Sequence, residues 1–329
     1  MLGFLYDAAD KGASKAEFQR FIEDFALLTM AEKIAEYRPD VIVSTHFLPA
    51  QLACTLRRKA PKATKNLSLL TVITDLDVQS MWAMEDNDVY FVPRPDAKLV
   101  LSKYLNITDE PSKDERLVVS GIPIMPGFKH AATRPKAESM AAMAKGMPDF
   151  DLDMSDPRPV VLLMSSGKLL IETYMEIAKI ETPVRIVVVM GRQADVRDKF
   201  NAIAVPPHHS RTLLGFVTDM PNLTRCADVL VGKSGGLTIA EAAALGVPMI
   251  VLDPIPGQET RNADVLLEAG AASKINDLPL LSLRLDEMLR EGGVKRATMA
   301  KNIANLGRPN SAFTVGHLRS SAPHSTSQI

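Results

Sequence analysis

The sequence predicts an α/β fold built on parallel sheets that are covered by helices. First, short apolar runs typical of buried strands alternate with longer segments that carry apolar residues at helical spacing. Second, this alternation continues through both halves of the chain, which favours parallel strands joined by crossover helices. Third, 329 residues with 46% hydrophobic content suffice for two domains, each with its own core.

The first half opens with a predicted helix rather than a strand. Residues 18–37 place Phe18, Phe25 and Ile34 on one helical face, and Pro39 ends the pattern. The repeat of strand and helix then begins. Strands are predicted at residues 41–44, 69–74, 89–92 and 117–119, and helices at residues 51–59 and 98–104.

The second half repeats the same alternation more regularly. Six predicted strands with helices between them form a complete doubly wound unit. The strands are predicted at residues 160–164, 184–190, 212–214, 229–231, 248–252 and 272–275, and the helices at residues 168–180, 238–245 and 259–269.

The pattern fades between the two halves, where Pro, Lys, Met, Asp and Ser dominate. This composition predicts an interdomain linker, with an early helix of the second domain at residues 136–145. We therefore divide the chain into an N-terminal domain (1–128), a linker (129–158), a C-terminal domain (159–310) and a tail (311–329).

Composition excludes several classes of protein. A net charge of −1 gives no reason to expect a nucleic-acid partner. Two distant cysteines form neither a disulfide framework nor a metal motif, which favours a reduced cytosolic compartment. No apolar run approaches the roughly 20 residues that a membrane span needs, and the first residues do not have the pattern of a signal peptide.

The most informative segment follows the predicted strand at residues 229–231. Ser234, Gly235 and Gly236 allow a tight turn and a close approach of ligand to backbone, and a helix follows that Gly246 ends. The N-terminus of that helix suits a phosphate, because its N–H groups are free and its dipole end is positive. Glu241 has two interpretations of similar weight: a capping-box acid, or a carboxylate that binds two ribose hydroxyls.

A second polar loop follows the next strand. Pro256 stiffens it, Gly257 permits a turn, and Gln258, Glu259 and Asn262 offer hydrogen-bonding groups. Glu259 also opens a predicted helix, so helix capping is its structural alternative. Because two polar loops after neighbouring parallel strands converge at one edge of the sheet, we expect them to form one binding site.

These two loops, read as GGLTIAEAAALGVPMI and PIPGQETRN, resemble the C-terminal signature of the glycosyltransferase family that contains monogalactosyldiacylglycerol synthases and processive diacylglycerol glucosyltransferases. The resemblance continues upstream and covers nearly the whole chain. Further matching segments, in family order, are residues 38–44, 71–76, Trp82, residues 88–90, 121–124, Phe128, residues 191–192 and 215–217.

The resemblance implies a family B glycosyltransferase fold, with two Rossmann-like domains that face a cleft. It implies a UDP-hexose donor on the C-terminal domain, a diacylglycerol-type lipid acceptor near the N-terminal one, and no metal or other cofactor. The protein is then expected to be cytoplasmic and peripheral on the membrane. The implied donor-binding residues are Gly191, Arg192, Phe216, Val217, Lys233, Ser234, Gly235, Gly236, Thr238, Glu241, Pro256, Gly257, Gln258, Glu259 and Asn262.

The resemblance also implies a role for most of these residues. Phe216 and Val217 would border the base, and Glu241 would hold the ribose. The small residues 234–236 would approach the phosphates. Gln258 and Glu259 would face the hexose hydroxyls.

The N-terminal domain is expected to be incomplete. Family members begin with a strand and a glycine-rich loop that ends in the general-base histidine, and this sequence starts after that segment. The remaining catalytic candidates are His46 and Asp75, which follow predicted strands; their structural alternatives are a satisfied histidine and a turn cap. A UDP-sugar 2-epimerase and a non-catalytic donor-binding fragment are the alternative functions.

Three smaller signals have structural alternatives. Asp-x-Asp pairs at residues 75–77 and 151–153 have the spacing of a metal site but lie outside the donor domain, so no metal is assigned. The histidines at 208 and 209 are interpreted as a loop pair. A basic cluster could attract anionic lipid headgroups or form an ordinary solvated helix end; it consists of Arg57, Arg58, Lys59, Lys62 and Lys65.

Overall fold

The computed structural model describes residues 28–108, 110–165, 167–252 and 254–321. The chain divides into two compact units. Unit 1 comprises Met1–Pro123, Pro256–Gln258 and Ser311–Ile329, and unit 2 comprises Ile124–Ile255 and Glu259–Asn310. Each unit has its own parallel sheet, which confirms the predicted α/β class.

Unit 1 contains a four-stranded parallel sheet in the order β1-β2-β3-β4. Each strand is added on the same side of the previous one, so right-handed crossovers place the connecting helices on a single face of the sheet. The elements are β1 (Val41–Ser44), α1 (Phe47–Lys59), β2 (Ser68–Val72), β3 (Val89–Val92), α2 (Pro95–Tyr104) and β4 (Leu117–Val119).

The two faces of this sheet have separate apolar clusters. On the helix-covered face, Leu69 and Tyr90 of the strands pack in one cluster with Cys54 of α1 and Leu101 of α2. The residues of β2 and β3 that point the other way form a second cluster, and Val315 packs against it. Val315 lies on α12 (Ser311–Ser321), a helix in the segment that the sequence analysis describes as a tail.

The first predicted helix is only partly described. Residues 28–37 are helical and Met30 and Ile34 pack against the helix-side cluster, which agrees with the predicted apolar face. Residues 18–27 of that predicted helix lie outside the described part of the chain.

Unit 2 contains a six-stranded parallel sheet in the order β10-β9-β8-β5-β6-β7. The chain starts at the central strand β5, moves outward through β6 and β7, and returns to the other side of β5 with β8. All six predicted strands are confirmed to within two residues at each end. They are β5 (Val160–Met164), β6 (Arg185–Val189), β7 (Ser210–Leu214), β8 (Val229–Gly232), β9 (Met249–Leu252) and β10 (Ala272–Ile275).

Helices cover this sheet and enclose a large apolar cluster in which nearly all strand side chains are buried. The helices of unit 2 are α3 (Gly127–Thr133), α4 (Lys136–Gly146), α5 (Gly167–Ile177), α6 (Ala194–Asn201), α7 (Met220–Cys226), α8 (Gly236–Leu245), α9 (Gln258–Glu268, whose first residue belongs to unit 1), α10 (Leu280–Leu289) and α11 (Val294–Leu306). None of the helices in the described ranges is long and apolar enough to cross a membrane.

The segment that the sequence analysis treats as a linker packs within unit 2. The Asp228 carboxylate, at the start of β8, accepts hydrogen bonds from Lys136 Nζ at 2.6 Å and from Arg296 Nη1 at 2.6 Å. Arg134 Nη1 donates to Asn222 of α7 at 2.9 Å. The helix predicted at residues 136–145 is confirmed as α4, and the predicted domain boundaries at 128 and 159 stay predictions.

Candidate functional site

The unit 2 sheet reverses its strand order between β5 and β8, and ligands of open α/β sheets bind at the carboxyl ends of strands at such a reversal. Gly232 ends β8 here. A Cβ on Gly232 would lie 2.8 Å from the carbonyl oxygen of Met164, so only glycine fits this closely paired position. The chain then turns and enters α8.

The N-terminus of α8 is open to a ligand. Its N-cap, Gly235, supplies no side chain to bond the first N–H groups, and a Cβ at Gly235 would meet no atom within 4 Å. The first turn of a helix carries unsatisfied N–H donors and a partial positive charge, which together suit an anion. Gly246, with φ of 68°, ends the helix as predicted.

The polar loops that follow β8 and β9 are joined by hydrogen bonds between residues of unit 2. Ser234 Oγ donates to the backbone carbonyl of Glu259 at 2.8 Å, and Asn262 Nδ2 donates to the backbone carbonyl of Ser234 at 3.3 Å. Both Ser234 and Asn262 are fully buried. The expectation that these loops meet at one edge of the sheet is confirmed, and these two side chains hold the loops together.

The second loop is closed by its own carboxylate. Glu259 Oε2 accepts the backbone N–H of Ile255 at 2.8 Å, and Gly257 takes a φ of 92° that glycine adopts without strain. One oxygen of Glu259 is thereby used within the loop. The predicted contact of Glu259 with a hexose stays a prediction.

Glu241 differs from the other polar residues of the site. It is half-buried, and no hydrogen bond joins its carboxylate to another described residue, so the capping-box alternative is not formed. Burial raises the pKa of the Glu241 carboxyl from 4.5 to about 7, because the charged form loses hydration. An acceptor held without a partner is suited to a ligand that brings its own hydroxyl donors.

Two further predicted residues form an exposed stack at the carboxyl ends of β6 and β7. Arg192 Cζ lies 4.7 Å from the centroid of the Phe216 ring, and 56% of Phe216 is exposed. Gly191, with φ of 63°, turns the chain before Arg192, whereas Val217 is buried. A flat aromatic and guanidinium surface of this kind can stack against a planar base.

The remaining donor-side predictions lie on the same two loops. Lys233 is half-buried between Gly232 and Ser234, and Thr238 is the third residue of α8. Pro256 is exposed on the second loop. None of them makes a contact that assigns it a role.

Sequence reasoning did not single out Ser165. It follows β5, the strand at the reversal, and its Oγ is buried without a hydrogen-bond partner among the described residues. Nearby, the backbone N–H of Gly167 donates to Gln193 Oε1 at 3.2 Å. The position of Ser165 after the first strand of a doubly wound unit is the signal that could have identified it.

In unit 1, the catalytic candidate His46 has a structural task. It is the N-cap of α1, and its Nδ1 accepts the backbone N–H of Leu48 at 3.2 Å. This hydrogen bond engages the Nδ1 lone pair in holding the first turn of α1. The catalytic role of His46 stays a prediction.

The other catalytic candidate, Asp75, is buried beyond the end of β2. The segment Pro256–Gln258 belongs to unit 1, and within that unit Gln258 Nε2 donates a hydrogen bond to Asp75 Oδ1. The predicted catalytic residue and the predicted sugar-binding amide are therefore hydrogen-bonded partners. Sequence spacing gave no indication of this pairing, because 183 positions separate the two residues.

No group of three or more His, Cys, Asp or Glu residues in the described part of the chain could hold a metal ion. Of the second Asp-x-Asp pair, Asp151 accepts the Thr212 hydroxyl, and Asp153 accepts both the N–H and the hydroxyl of Ser155. Both carboxylates have structural partners.

The basic cluster of unit 1 is partly neutralised. Arg57 forms a two-pronged pair with the Asp88 carboxylate at 2.8 Å and also donates to the carbonyl of Asp86 at 2.6 Å. Arg58 pairs with the Asp86 carboxylate at 2.9 Å. The exposed cations of the cluster are mainly its lysines: Lys59, Lys62 and Lys65.

Family models match both parts of the chain. The model "Monogalactosyldiacylglycerol (MGDG) synthase" matches residues 1–124, and the model "Glycosyltransferase family 28 C-terminal domain" matches residues 166–313. Together they define a glycosyltransferase. These are the two domains that the resemblance predicted, an MGDG-synthase domain in the first half of the chain and a family 28 C-terminal domain in the second.

Curated relatives support the same assignment. A processive diacylglycerol beta-glucosyltransferase from Bacillus subtilis (strain 168) is 27% identical over 313 residues, which are 94% of this chain and 76% of the relative. A protein of the same name from Bacillus pumilus (strain SAFR-032) is 28% identical over the same shares.

Solved structures confirm the fold as that of family B glycosyltransferases. MurG from Acinetobacter baumannii has a TM-score of 0.63 at 15% identity and covers 92% of this chain and 79% of its own. The UDP-GlcNAc 2-epimerase from Neisseria meningitidis bound to UDP-GlcNAc has a TM-score of 0.62 at 16% identity, covering 92% and 81%. HepE from Anabaena in complex with UDP-glucose has a TM-score of 0.52 at 14% identity, covering 90% and 82%.

Proposed function

We propose that this protein transfers a hexose from a UDP-sugar to a hydroxyl group of a diacylglycerol-type lipid. The observation that carries the proposal is the junction of the loops after β8 and β9 through Ser234, Glu259 and Asn262, with the carboxylate of Glu241 on α8, which has no hydrogen-bond partner among the described residues. The family model that matches residues 1–124 and the names of the curated relatives support the lipid acceptor.

Each part of the donor finds suitable chemistry in unit 2. The diphosphate would lie against Gly235 and Gly236, where the first N–H groups of α8 are open and the helix dipole is favourable. The ribose hydroxyls would donate to the carboxylate of Glu241. The uracil would stack on the surface that Arg192 and Phe216 form.

The reaction breaks the bond between the sugar C1 and the β-phosphate oxygen and forms a bond from C1 to the acceptor oxygen. The electron pair of the broken bond stays on the diphosphate, and the N–H groups at the start of α8 would stabilise that added charge. This arrangement needs no metal ion. The acceptor proton must pass to a base, for which His46 and Asp75 are the predicted residues of this chain.

The lipid nature of the acceptor also suggests where in the cell the protein acts. Because diacylglycerol resides in bilayers, we place the protein in the cytoplasm at a membrane surface, bound peripherally. The exposed cations Lys62 and Lys65 could contribute about 1 kcal/mol each beside anionic headgroups. Arg57 and Arg58 contribute less to this surface, because Asp88 and Asp86 already neutralise them.

The test is an incubation of the full chain with radiolabelled UDP-glucose or UDP-galactose and vesicles that contain diacylglycerol. Labelled glycolipid in the organic phase is the expected product, and Glu241→Gln is the matched control that should lose donor affinity. Conversion of UDP-GlcNAc to its C2 epimer would instead favour the epimerase alternative. Absence of binding to any UDP compound in calorimetry would refute the proposal.

A further inference from the structure

We infer that Gln193 is a nucleotide-binding residue whose side-chain Nε2 donates a hydrogen bond to the α-phosphate of the bound sugar nucleotide. This inference deepens the proposed function and rests on it, since it concerns the UDP part of the donor substrate. All the residues that carry it belong to unit 2, so it involves no contact with unit 1. The sequence analysis did not assign Gln193 a role.

The side chain of Gln193 joins two loops at the carboxyl edge of the unit 2 sheet. Gln193 follows β6 and is the N-cap residue of α6. Its Oε1 accepts the backbone N–H of Gly167, the first residue of α5, at 3.2 Å. Because α5 follows β5, and β5 pairs with β6, the amide of Gln193 is held at the ends of these two neighbouring strands.

This hydrogen bond determines which end of the amide is left for a ligand. A backbone N–H can only donate, so the atom of Gln193 that meets it is the acceptor Oε1. Nε2 carries two N–H donors, and none of the described residues accepts a hydrogen bond from it. If the amide rotated by half a turn, the bond to Gly167 would be lost. Gln193 therefore presents a hydrogen-bond donor in a fixed orientation.

The backbone beside this donor leaves room for a ligand. Gly167 and Gly191 have φ of 59° and 63°, which glycine adopts without strain. A Cβ built on either glycine would meet no described atom within 4 Å. The loops on both sides of the amide of Gln193 therefore have no side chain at these positions, and an anionic group can approach the amide closely.

The strand order identifies the part of the nucleotide that passes this point. β5 lies between β8, which leads to the N-terminus of α8, and the pair β6 and β7, which lead to Arg192 and Phe216. A nucleotide with its base on that aromatic surface and its terminal phosphate at α8 has its ribose and α-phosphate in between. The ribose hydroxyls have the carboxylate of Glu241 as their proposed acceptor. The α-phosphate oxygens carry negative charge and only accept, so they match the fixed N–H donor of Gln193.

The substitution Gln193→Ala removes this donor. It should lower the affinity for UDP and for UMP about 10- to 100-fold, the usual range for a lost hydrogen bond to a charged group. Uridine has no phosphate, and the stack of Arg192 on Phe216 does not involve the amide, so uridine affinity should stay within about twofold of the wild type. Asn201→Ala is the matched control, because it removes an exposed amide from the other end of α6.

The substitution Gln193→Glu separates a phosphate contact from a structural link between the loops. A glutamate of the same length still accepts the Gly167 N–H, but it offers no N–H donor and adds negative charge beside the phosphate. Its affinity for UDP and UMP should fall at least as far as that of Gln193→Ala, while uridine affinity again stays the same. If Gln193 only linked the loops, the glutamate variant would keep the link and bind UDP as the wild type does.

The experiment is calorimetric titration of the full chain and of the three variants with UDP, UMP and uridine. The expected result is a loss of affinity that is confined to UDP and UMP in both Gln193 variants and is absent in Asn201→Ala. An equal loss for all three ligands in Gln193→Ala would overturn the inference, as would wild-type affinity for UDP in either Gln193 variant. A loss for UDP without a loss for UMP would also overturn it, because the α-phosphate is common to both.

These outcomes are distinct from failure of the proposed function. If the wild type binds no UDP compound, the proposed function fails and the inference fails with it. If the wild type binds UDP but makes no glycolipid, only the proposed transfer fails, because the comparison of the Gln193 variants requires binding alone. A variant that binds uridine normally is folded, so its loss of UDP and UMP reports on the phosphate contact. Gln193→Glu keeps the bond to Gly167 and stays informative if the alanine variant is unstable.

Discussion

The carboxyl edges of the two sheets differ in how their polar side chains are satisfied. At the unit 1 edge, His46 accepts the Leu48 N–H, Asp75 accepts from Gln258, and the Ser120 hydroxyl donates to the Gly121 carbonyl. At the unit 2 edge, Ser234 and Asn262 are paired as well, but the carboxylate of Glu241 has no partner among the described residues.

Topology accounts for this difference. The strand order of unit 2 reverses between β5 and β8, so adjacent helices leave on opposite faces and a crevice opens between them. The four described strands of unit 1 are added in one direction and form no such reversal. Loops above a reversal can hold a ligand, whereas the polar groups of the unit 1 edge mainly satisfy each other. The comparison implies that donor affinity resides in unit 2.

The largest expected effect is the loss of donor affinity on Glu241→Gln. A carboxylate that accepts two ribose hydroxyls forms charge-assisted bonds, and a neutral amide of the same shape accepts through one atom only. We expect the affinity for UDP-glucose to fall about 10- to 100-fold, which calorimetry measures directly. The same substitution at Glu138, an acid in the first turn of α4, is the control and should leave the affinity unchanged.

The second prediction is that donor affinity depends on pH through Glu241. Its pKa is raised to about 7, so the carboxyl is protonated below that pH and a ligand that needs the anion must displace the proton. Affinity for UDP-glucose should be constant above about pH 7 and fall by up to tenfold for each pH unit below it. Glu241→Gln should remove the dependence, and a pH profile that stays unchanged in this variant would contradict the assignment.

Protonation of Glu241, which is expected to weaken donor binding, is expected to stabilise the ligand-free protein. The folded state binds the proton of Glu241 more tightly than the unfolded state does, so this contribution to stability is complete at low pH and is lost as pH rises through about 7. Above about pH 7, Glu241→Gln should therefore melt at a higher temperature than the wild type, although it binds donor less well. Thermal denaturation at about pH 5 and about pH 8 tests the sign.

The third prediction compares two glycines of the first loop. Gly232→Ala forces a methyl group against the Met164 carbonyl at 2.8 Å, so we expect a loss of about 1–3 kcal/mol in the free energy of unfolding. Gly235→Ala meets open space, with only the loss of a preferred N-cap residue. It should keep most of the stability but reduce UDP affinity, because its methyl group occupies the space that a phosphate would enter. Urea denaturation and calorimetry separate the two effects.

Much of unit 2 was predictable from the sequence, because its strands and helix ends are determined by residues that are close together in the chain. Each strand is a short apolar run, and Gly246 and Pro248 mark the end of α8 without reference to the rest of the fold. The meeting of the two loops also followed from chain order, since β8 and β9 are adjacent parallel strands. The bonds that Ser234 and Asn262 form could not be predicted, because they depend on rotamers and on burial.

Unit 1 was harder to predict because its decisive contacts join distant parts of the chain. The apolar pattern of residues 311–321 is weak. A helix is stabilised there because it packs Val315 against the face of the unit 1 sheet that the crossover helices leave uncovered, which the sequence alone does not reveal. The partner of Asp75 is 183 positions away. The basic cluster illustrates the same difficulty: the positive charge of Arg57 is evident from the sequence, but its neutralisation by Asp88 is not.

The smallest expected effect concerns His46, and it tests whether the unit 1 edge is structural. His46→Ala removes the N-cap acceptor of α1 and should lower the free energy of unfolding by about 1 kcal/mol. Asparagine is a preferred N-cap residue, so His46→Asn should restore the stability. If His46 serves only the helix, glycolipid synthesis by His46→Asn will also match the wild type. A 100-fold loss of turnover in this stable variant would instead identify His46 as the base, because general-base catalysis contributes about that much or more.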